Sequence, residues 1–455
     1  MKKLFLLTAF GALFLINSIQ AQETRTITLQ EAIDLALDNN YLLKQAENNL
    51  ELSDKRILSE KADFLPSVSS SMRYSKTTGR QFVQETLSFT DVTSSSTSGS
   101  ISANMPIFNG FNNILTLRAS ESGQNSSEEN FNRTRENVIF DTASRYLRVL
   151  LDMQLLEDAR ENLETTLKQL DQTKAQVEVG SRPNVDLYNQ EATVANAELT
   201  ITQRENALKL SKLQLVRSLQ VDPLVNYEFV VPNFDPEAVK SSPVANYDAR
   251  DLIEEALLNR SDLKSAEYNL ESLKYQLQIA KGSLLPTVSA NASVSSGYSD
   301  QYRLGGQDVS FSDQFFDQRV NKSLGISLSL PIFNNWNRMY NIQSSQVSLK
   351  NAELGLENTK LQIIQEITQA FNDFTSLTAQ LEAAEKSLVA SERAFATQQE
   401  RYNVGASTLI ELSQAQNQYL QAQSSRTSAL YNLIFQEKLL DYYLGKLTGE
   451  DVRFD

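Results

Sequence analysis

"PIFNGFNN" occupies Pro106–Asn113 and "PIFNNWNR" occupies Pro331–Arg338, 225 positions apart in a chain of 455 residues. Two such octapeptides mark equivalent points of a duplicated unit if other landmarks recur at a similar offset. They do. Val179-Gly180 returns as Val404-Gly405 at the same offset, while "FLPSVS" from Phe64 returns as "LLPTVS" from Leu284, 220 positions on. "EAIDLALDNN" from Glu31 is likewise matched by "DLIEEALLNR" from Asp251. Two copies, about residues 27–220 and 247–445, thus fill the chain. The proline-rich stretch "VDPLVNYEFVVPNFDPEAVKSSP" from Val221 reads as a non-helical connector between them.

Each copy carries two segments of strand periodicity. Val68, Ser70, Met72 and Tyr74 alternate with Ser69, Ser71 and Arg73, and Val288, Ala290, Ala292 and Val294 alternate with Ser289, Asn291, Ser293 and Ser295. Before the PIFN motifs, Ile101, Ala103 and Met105 alternate with Ser102 and Asn104, as Leu324, Ile326, Leu328 and Leu330 do with Gly325, Ser327 and Ser329. One apolar and one small polar face is the pattern of a barrel strand between lipid and water. Pro66 and Pro286 are placed where helix gives way to strand, and Pro106 and Pro331 where strand gives way to helix, since proline suits neither interior. Phe108, Phe111, Phe333 and Trp336 follow, and are read as a belt at the membrane–water boundary. Core packing at a β–α corner is the alternative for any single ring.

The rest is helical. Val149, Leu156, Leu163, Leu170 and Val177 stand seven apart, as do Phe374, Leu381, Leu388, Phe395 and Tyr402. Heptad spacing predicts coiled-coil seams. No proline falls between Gly110 and Val179 or between Asn334 and Val404, which allows helices of roughly 100 Å at 1.5 Å per residue. Gly180 and Gly405 end them, because glycine adopts the left-handed conformation of a helix C-terminus. Shorter helices return, and one short helix per copy (about Leu29–Asp63 and Ala249–Ser283) comes first. The expected order is therefore a signal peptide (1–21), a short helix (22–64), a β-hairpin (65–108) and a long and a returning helix turning near 180 (109–220). A connector (221–247) leads to the second short helix (248–284), hairpin (285–333) and helix pair turning near 405 (334–445), then a tail (446–455). Extracellular loops are expected at about Ser75–Ser98 and Ser299–Asn321.

Composition narrows the function. Lys2 and Lys3, the apolar run Leu4–Ile16 and Ala21 form an export signal. The chain has no cysteine, so a lipid anchor on a mature N-terminal cysteine, disulfides and thiolate metal sites are excluded. It has no histidine, and its net charge of −14 offers nothing to nucleic acid. No nucleotide-binding or nucleophile motif is present; "GKLT" at Gly445 lacks the upstream glycine loop. No enzymatic activity, cofactor or metal site is expected. Any membrane crossing must be made by strands, since only helices or closed barrels satisfy the backbone in lipid. Four strands cannot close a membrane barrel, whose smallest size is about eight, so copies must combine.

The two "LP…S" and "PIF" junctions, with the tip motifs "VGSRPNVDLYNQ" (Val179–Gln190) and "RYNVGASTLIELSQAQ" (Arg401–Gln416), resemble the TolC-like outer-membrane efflux protein family over essentially the whole chain after the signal. The resemblance implies a mixed fold of transmembrane β and long coiled-coil α. In it, a homotrimer forms a 12-stranded β-barrel in the outer membrane of a Gram-negative bacterium, continued by a 12-helix α-barrel in the periplasm. It implies the exit duct of a tripartite efflux or type I secretion system, joined to an inner-membrane pump through a periplasmic adaptor that docks around Val179, Gly180, Val404 and Gly405. It also implies a periplasmic gate. Glu411 matches an acidic ring, Asp186 with Tyr402 matches a carboxylate–phenol link, Ser407 stands where a linking arginine is expected, and Gln414 where a second acidic ring often lies. Without the resemblance, Asp186 and Glu411 read as solvated acids favoured at helix starts. Carboxylates converging on a narrow axis would repel and raise their own pKa values. A non-channel periplasmic coiled-coil adaptor or scaffold is the competing class.

Overall fold

The computed structural model describes residues 25–83, 87–231 and 248–446; the expected signal peptide, most of the connector and nearly all of the tail lie outside these. The chain forms two compact units. The first comprises the segment ending at Lys44, Arg133–Arg260, and the segment from Ile363; the second comprises Gln45–Asn132 and Ser261–Gln362.

The second unit holds a four-stranded antiparallel sheet. Strands β2 (Ser67–Val83) and β3 (Ser88–Asn109) form a hairpin, β5 (Thr287–Ser299) pairs with β3, and β8 (Asn321–Ser329) pairs with β5, in the order β2-β3-β5-β8. The register lines up the two periodicities. Val68, Ala103, Ala292 and Leu324 share one row; Ser69, Ser102, Ser293 and Ser323 form the next, on the opposite face. On that face hydroxyls bond across strands, Ser69 to Ser102 at 2.9 Å, Ser71 to Ser100 at 2.9 Å and Ser293 to Ser323 at 2.7 Å. The apolar face is exposed, with Leu324 at 86% and Ile326 at 76%. A contiguous exposed apolar surface marks an interaction or membrane-facing site.

Two expectations change here. Residues 75–83 and 88–98 of the Ser75–Ser98 segment are strand rather than loop, for β2 and β3 pair without a break out to Val83 opposite Ser88. Its serines and threonines, read as loop-forming, alternate faces like any strand. Pro106 also lies inside β3 rather than at its end, at a bulge where the register shifts between Pro106 and Phe108. A bulge accepts proline because it interrupts the ladder.

The repeated PIFN motif builds the corner from strand to helix. Helices α3 (Asn112–Glu178) and α8 (Asn337–Asn403) begin just beyond it. Consecutive left-handed residues turn the chain, Gly110 (φ 67°) and Phe111 (φ 65°) in the first copy, Asn335 (φ 54°) and Trp336 (φ 67°) in the second. Glycine and asparagine accept this region most readily. The motif's final asparagine then serves the new helix: Asn109 Oδ1 accepts from the Asn113 amide, and Asn334 Oδ1 from the Arg338 amide. Gly110 also faces Gly282, and a Cβ on either would run into the other's carbonyl oxygen.

In the first unit, β1 (Arg25–Ile27) and β4 (Tyr227–Phe229) pair in parallel. Tyr146 of α3 is fully buried beneath them, its hydroxyl within 3.0 Å of the Ile27 carbonyl and 2.7 Å of the Val230 carbonyl. Burial pushes its pKa up to about 12. The predicted single leading helix is in each copy two. α1 (Leu29–Asn39) and α2 (Tyr41–Ala62) part at Asn40; α5 (Ala249–Asn259) and α6 (Ser261–Gly282) part at Arg260. Asn40 has extended backbone, and its side chain accepts from the amides of Leu42 and Leu43, capping α2.

The returning helices are α4 (Asn184–Leu219) and α9 (Leu409–Tyr443). The second heptad series is mostly buried, with Phe374, Leu381, Phe395 and Tyr402 in the core. The first departs from expectation beyond Leu156: Leu163, Leu170 and Val177 are half-buried, while Thr166, Gln169 and Thr173 take the interior. Most of those polar groups are bonded, Gln169 Nε2 being the buried atom left without a partner. Gln416 Nε2 donates to Thr166 Oγ1 and Asn162 Oδ1, each at 3.1 Å, and Gln190 Nε2 donates to the Thr166 carbonyl at 3.2 Å. Asp158 accepts from Gln154, Gln423 and Thr427. Bonded pairs make a polar interior tolerable and define helix register.

Candidate functional site

The two helical turns of the first unit bring the predicted tip and gate residues together. At each, the glycine closes a Schellman motif, the pair of reversed bonds that ends a helix on a left-handed residue. Gly180 N donates to the Val177 carbonyl (3.0 Å) and Ser181 N to that of Gln176 (2.9 Å); Gly405 N and Ala406 N repeat this with Tyr402 (3.0 Å) and Arg401 (2.8 Å). Gly180 and Gly405 have φ of 75° and 77°, and a Cβ on either would meet open space. Both need glycine for conformation alone. Val179 and Val404 project beside them, 79% and 77% exposed.

Past the turns the copies diverge. α9 starts with a capping box, in which the Glu411 amide donates to Thr408 Oγ1 and the Glu411 carboxylate accepts from the Thr408 amide at 3.0 Å. The same carboxylate accepts from Ser407 Oγ at 2.7 Å. The Thr408 amide first, and then the Ser407 hydroxyl, hold Glu411 below the usual carboxylate range. This is the opposite direction from that expected of converging acids. Within a protomer, hydrogen bonds to the ionised form decide it.

α4 starts differently, with Pro183 as its N-cap and no side-chain bond. The residue that organises this tip was missed in the sequence. Arg182, the counterpart of Ser407 at the 225-residue offset, reaches across to the second hairpin. Its Nη2 donates to the Tyr402 carbonyl at 2.8 Å, its Nη1 lies 3.4 Å from the Ser407 carbonyl, and its guanidinium stands 4.2 Å from the centre of the Tyr402 ring. Asp186 pairs with Arg182 at 3.9 Å. The expected carboxylate–phenol bond is not among the described contacts: the Tyr402 hydroxyl faces Thr173 Oγ1 at 3.4 Å, and Arg182 joins Asp186 to Tyr402 from between. Position 407 carries serine, and the guanidinium that contacts both tips comes from Arg182 on the other one. Tyr402 is buried with Phe395, Leu409, Leu412 and Ala415. Gln414 is exposed on α9.

The predicted aromatics belong to the second unit's corners. Phe108 and Phe111 meet edge to face at 5.1 Å, with Phe108 half-buried and Phe111 exposed. Phe333 and Trp336 are 76% and 70% exposed, more than a core role allows. Among the described residues no helix is long and apolar enough to cross a membrane, and no acidic cluster is arranged to hold a metal ion.

Known proteins resemble this chain in sequence and fold. The outer membrane efflux protein family matches residues 32–219 and 252–446, both copies of the repeat. The outer membrane efflux protein BepC of Brucella suis is 21% identical over 98% of this chain and 91% of its own length. Outer membrane protein TolC of Escherichia coli is 23% identical over 99% and 88%. The crystal structure of the Campylobacter jejuni CmeC outer membrane channel superimposes with a TM-score of 0.77 at 19% identity, covering 92% of this chain and 85% of that one. With both copies of its repeat matched, the chain belongs to the outer membrane efflux protein family, as a TolC-like protein of the outer membrane.

Proposed function

We propose that three copies of this chain form an exit duct through the outer membrane, carrying material delivered by an inner-membrane pump through a periplasmic adaptor. The observation that carries this reading is the sheet. It has an apolar exposed face, a hydroxyl-lined face free of acids along the rows from Ser67 to Ser71, and two strands, β2 and β8, each paired on one side only. Pairing β8 of one copy with β2 of the next closes the edges, as lipid requires. Twelve strands result from three copies. The serine face then lines a wetted lumen, with Arg73 two residues outward from Ser71, while Leu324, Ile326 and Leu328 meet lipid.

The tips act as the periplasmic gate and adaptor contact. Val179 and Val404, exposed beside rigid glycine turns, supply apolar knobs for docking. Arg182, Asp186, Tyr402 and Ser407 hold the two hairpins of a protomer together, and Glu411 supplies one acidic ring, Gln414 being neutral. Outer-membrane fractionation, with heat-modifiable migration and a trimer in detergent, tests the duct. A protein that fractionates with the soluble periplasm, or stays monomeric in detergent, overturns it.

A further inference from the structure

The segment linking β5 to β8 does not stand free of the sheet. It forms a small hairpin (β6, Arg303–Leu304, and β7, Gln307–Asp308), then a short helical turn α7 (Phe311–Asp313) continued by a π-helix, Gln314–Gln318. This helical segment lies on the apolar face. The Phe315 ring packs on Gly99 of β3, so closely that a Cβ there would stand 3.0 Å from its Cζ. Gly99 shares the Met72 row, two residues outward from the row of Ile101 and Val294. The Phe315 carbonyl accepts from Ser296 Oγ, and Gln314, 1% exposed, bonds to both the amide and the carbonyl of Ser299. Tyr298, Phe311 and Phe315 form a continuous aromatic cluster with centroid spacings of 5.2 Å, Phe311 and Phe315 stacked, and Phe316 meets Phe315 edge-on at 5.3 Å. Phe311 and Phe316 nevertheless remain 42% and 72% exposed.

We propose that Phe311–Phe316 is a strap that inserts into the outer leaflet of the membrane, with Phe316 as its lipid contact. The proposal rests on the barrel reading above. Three observations choose lipid as the occupant. The strap sits on β3 and β5, the two inner strands, away from the edges β2 and β8 where copies would join. It continues the apolar face of Leu324 and Ile326. Its height also fits: Val288 to Tyr298 is ten residues of strand, which at 3.3 Å each and a tilt near 40° spans about 25 Å, the height of a barrel's apolar band. Tyr298 and the strap therefore stand at the outer boundary, where aromatic rings gather.

Trp336, the chain's single tryptophan, makes a test with its own control. Wild-type protein in nanodiscs containing brominated phospholipid reports barrel insertion through quenching of Trp336. The strap is read in Phe316→Trp with Trp336→Phe, both exposed positions. Roughly two-fold quenching at position 316 by bromines near the headgroups, exceeding that by bromines at the chain ends, is expected for an interfacial ring. Quenching of Trp336 without quenching at 316 overturns the strap and leaves the barrel standing. In that case acrylamide access at 316 indicates water, and shielding indicates another protein surface. Absence of quenching at Trp336 removes the barrel reading and the strap with it.

Discussion

The Arg182 guanidinium donates to the Tyr402 carbonyl at 2.8 Å and lies 4.2 Å from the centre of the same residue's ring. One side chain thus grips the neighbouring hairpin by both backbone and ring. Arg182 is only 15% exposed, so solvent screens little of this. A charge-assisted bond and a cation–π contact together are worth about 2–3 kcal/mol.

Arg182→Ala is therefore expected to loosen the tips. Single-channel conductance in planar bilayers should rise several-fold and large antibiotics should enter more freely, with trimers intact. Arg182→Lys should recover part of the effect, because an ammonium keeps the charge and loses the fork. Wild-type conductance in Arg182→Ala would exclude the residue from the gate.

Glu411 provides a pH test. Its pKa is lowered in the folded protein, so its contribution is complete above the ordinary carboxylate value of about 4.5 and is lost as pH falls through the lowered one. Hydrogen exchange of the peptide containing Thr408, corrected for intrinsic rate, should stay equally protected from pH 7 to pH 5. Protection should disappear only at more acidic pH, and should be reduced throughout in Glu411→Ala. If the acidic ring forms, the same variant should also lose block by divalent cations.

The glycines divide into two kinds. Gly405→Ala meets open space and should cost about 1 kcal/mol, the penalty of a left-handed residue with a Cβ. Gly110→Ala adds to that penalty a collision with the Gly282 carbonyl, and overpacking of this kind costs a further 1–3 kcal/mol or so. Thermal dissociation of detergent-purified trimers should fall far more for Gly110→Ala than for Gly405→Ala. Equal shifts would show that the Gly110–Gly282 approach relaxes freely.

Epitope insertion tests the topology of the sheet. Ser95 lies within β3, opposite Lys76, and its amide donates to Asp300 at 2.9 Å. Insertion there should break the ladder and abolish assembly. Insertion between Gly305 and Gly306, a left-handed turn with open space around both, should leave trimers intact and be labelled on unpermeabilised cells. Labelling only after permeabilisation would invert the barrel.

The sequence alone determined the duplication, the presence and facing of the four strands, and the glycine turns. These depend on local rules: where proline and glycine are tolerated, and which face every second residue takes. The helix-start position of Glu411 was legible for the same reason, although its capping partner Thr408 and the direction of its pKa required the amide and hydroxyl around it. Tertiary structure alone decided which stripe of α3 turns inward. Heptads of leucine point to Leu163 and Leu170, but a helix carries several stripes, and the partners Gln416 and Gln190 make the one with Thr166 the better buried. It alone also replaced the expected Asp186–Tyr402 link with Arg182, whose carbonyl acceptors at Tyr402 and Ser407 stand 220 and 225 positions away. Backbone carbonyls occur at every residue, so no spacing or residue type announces which of them a distant arginine will reach.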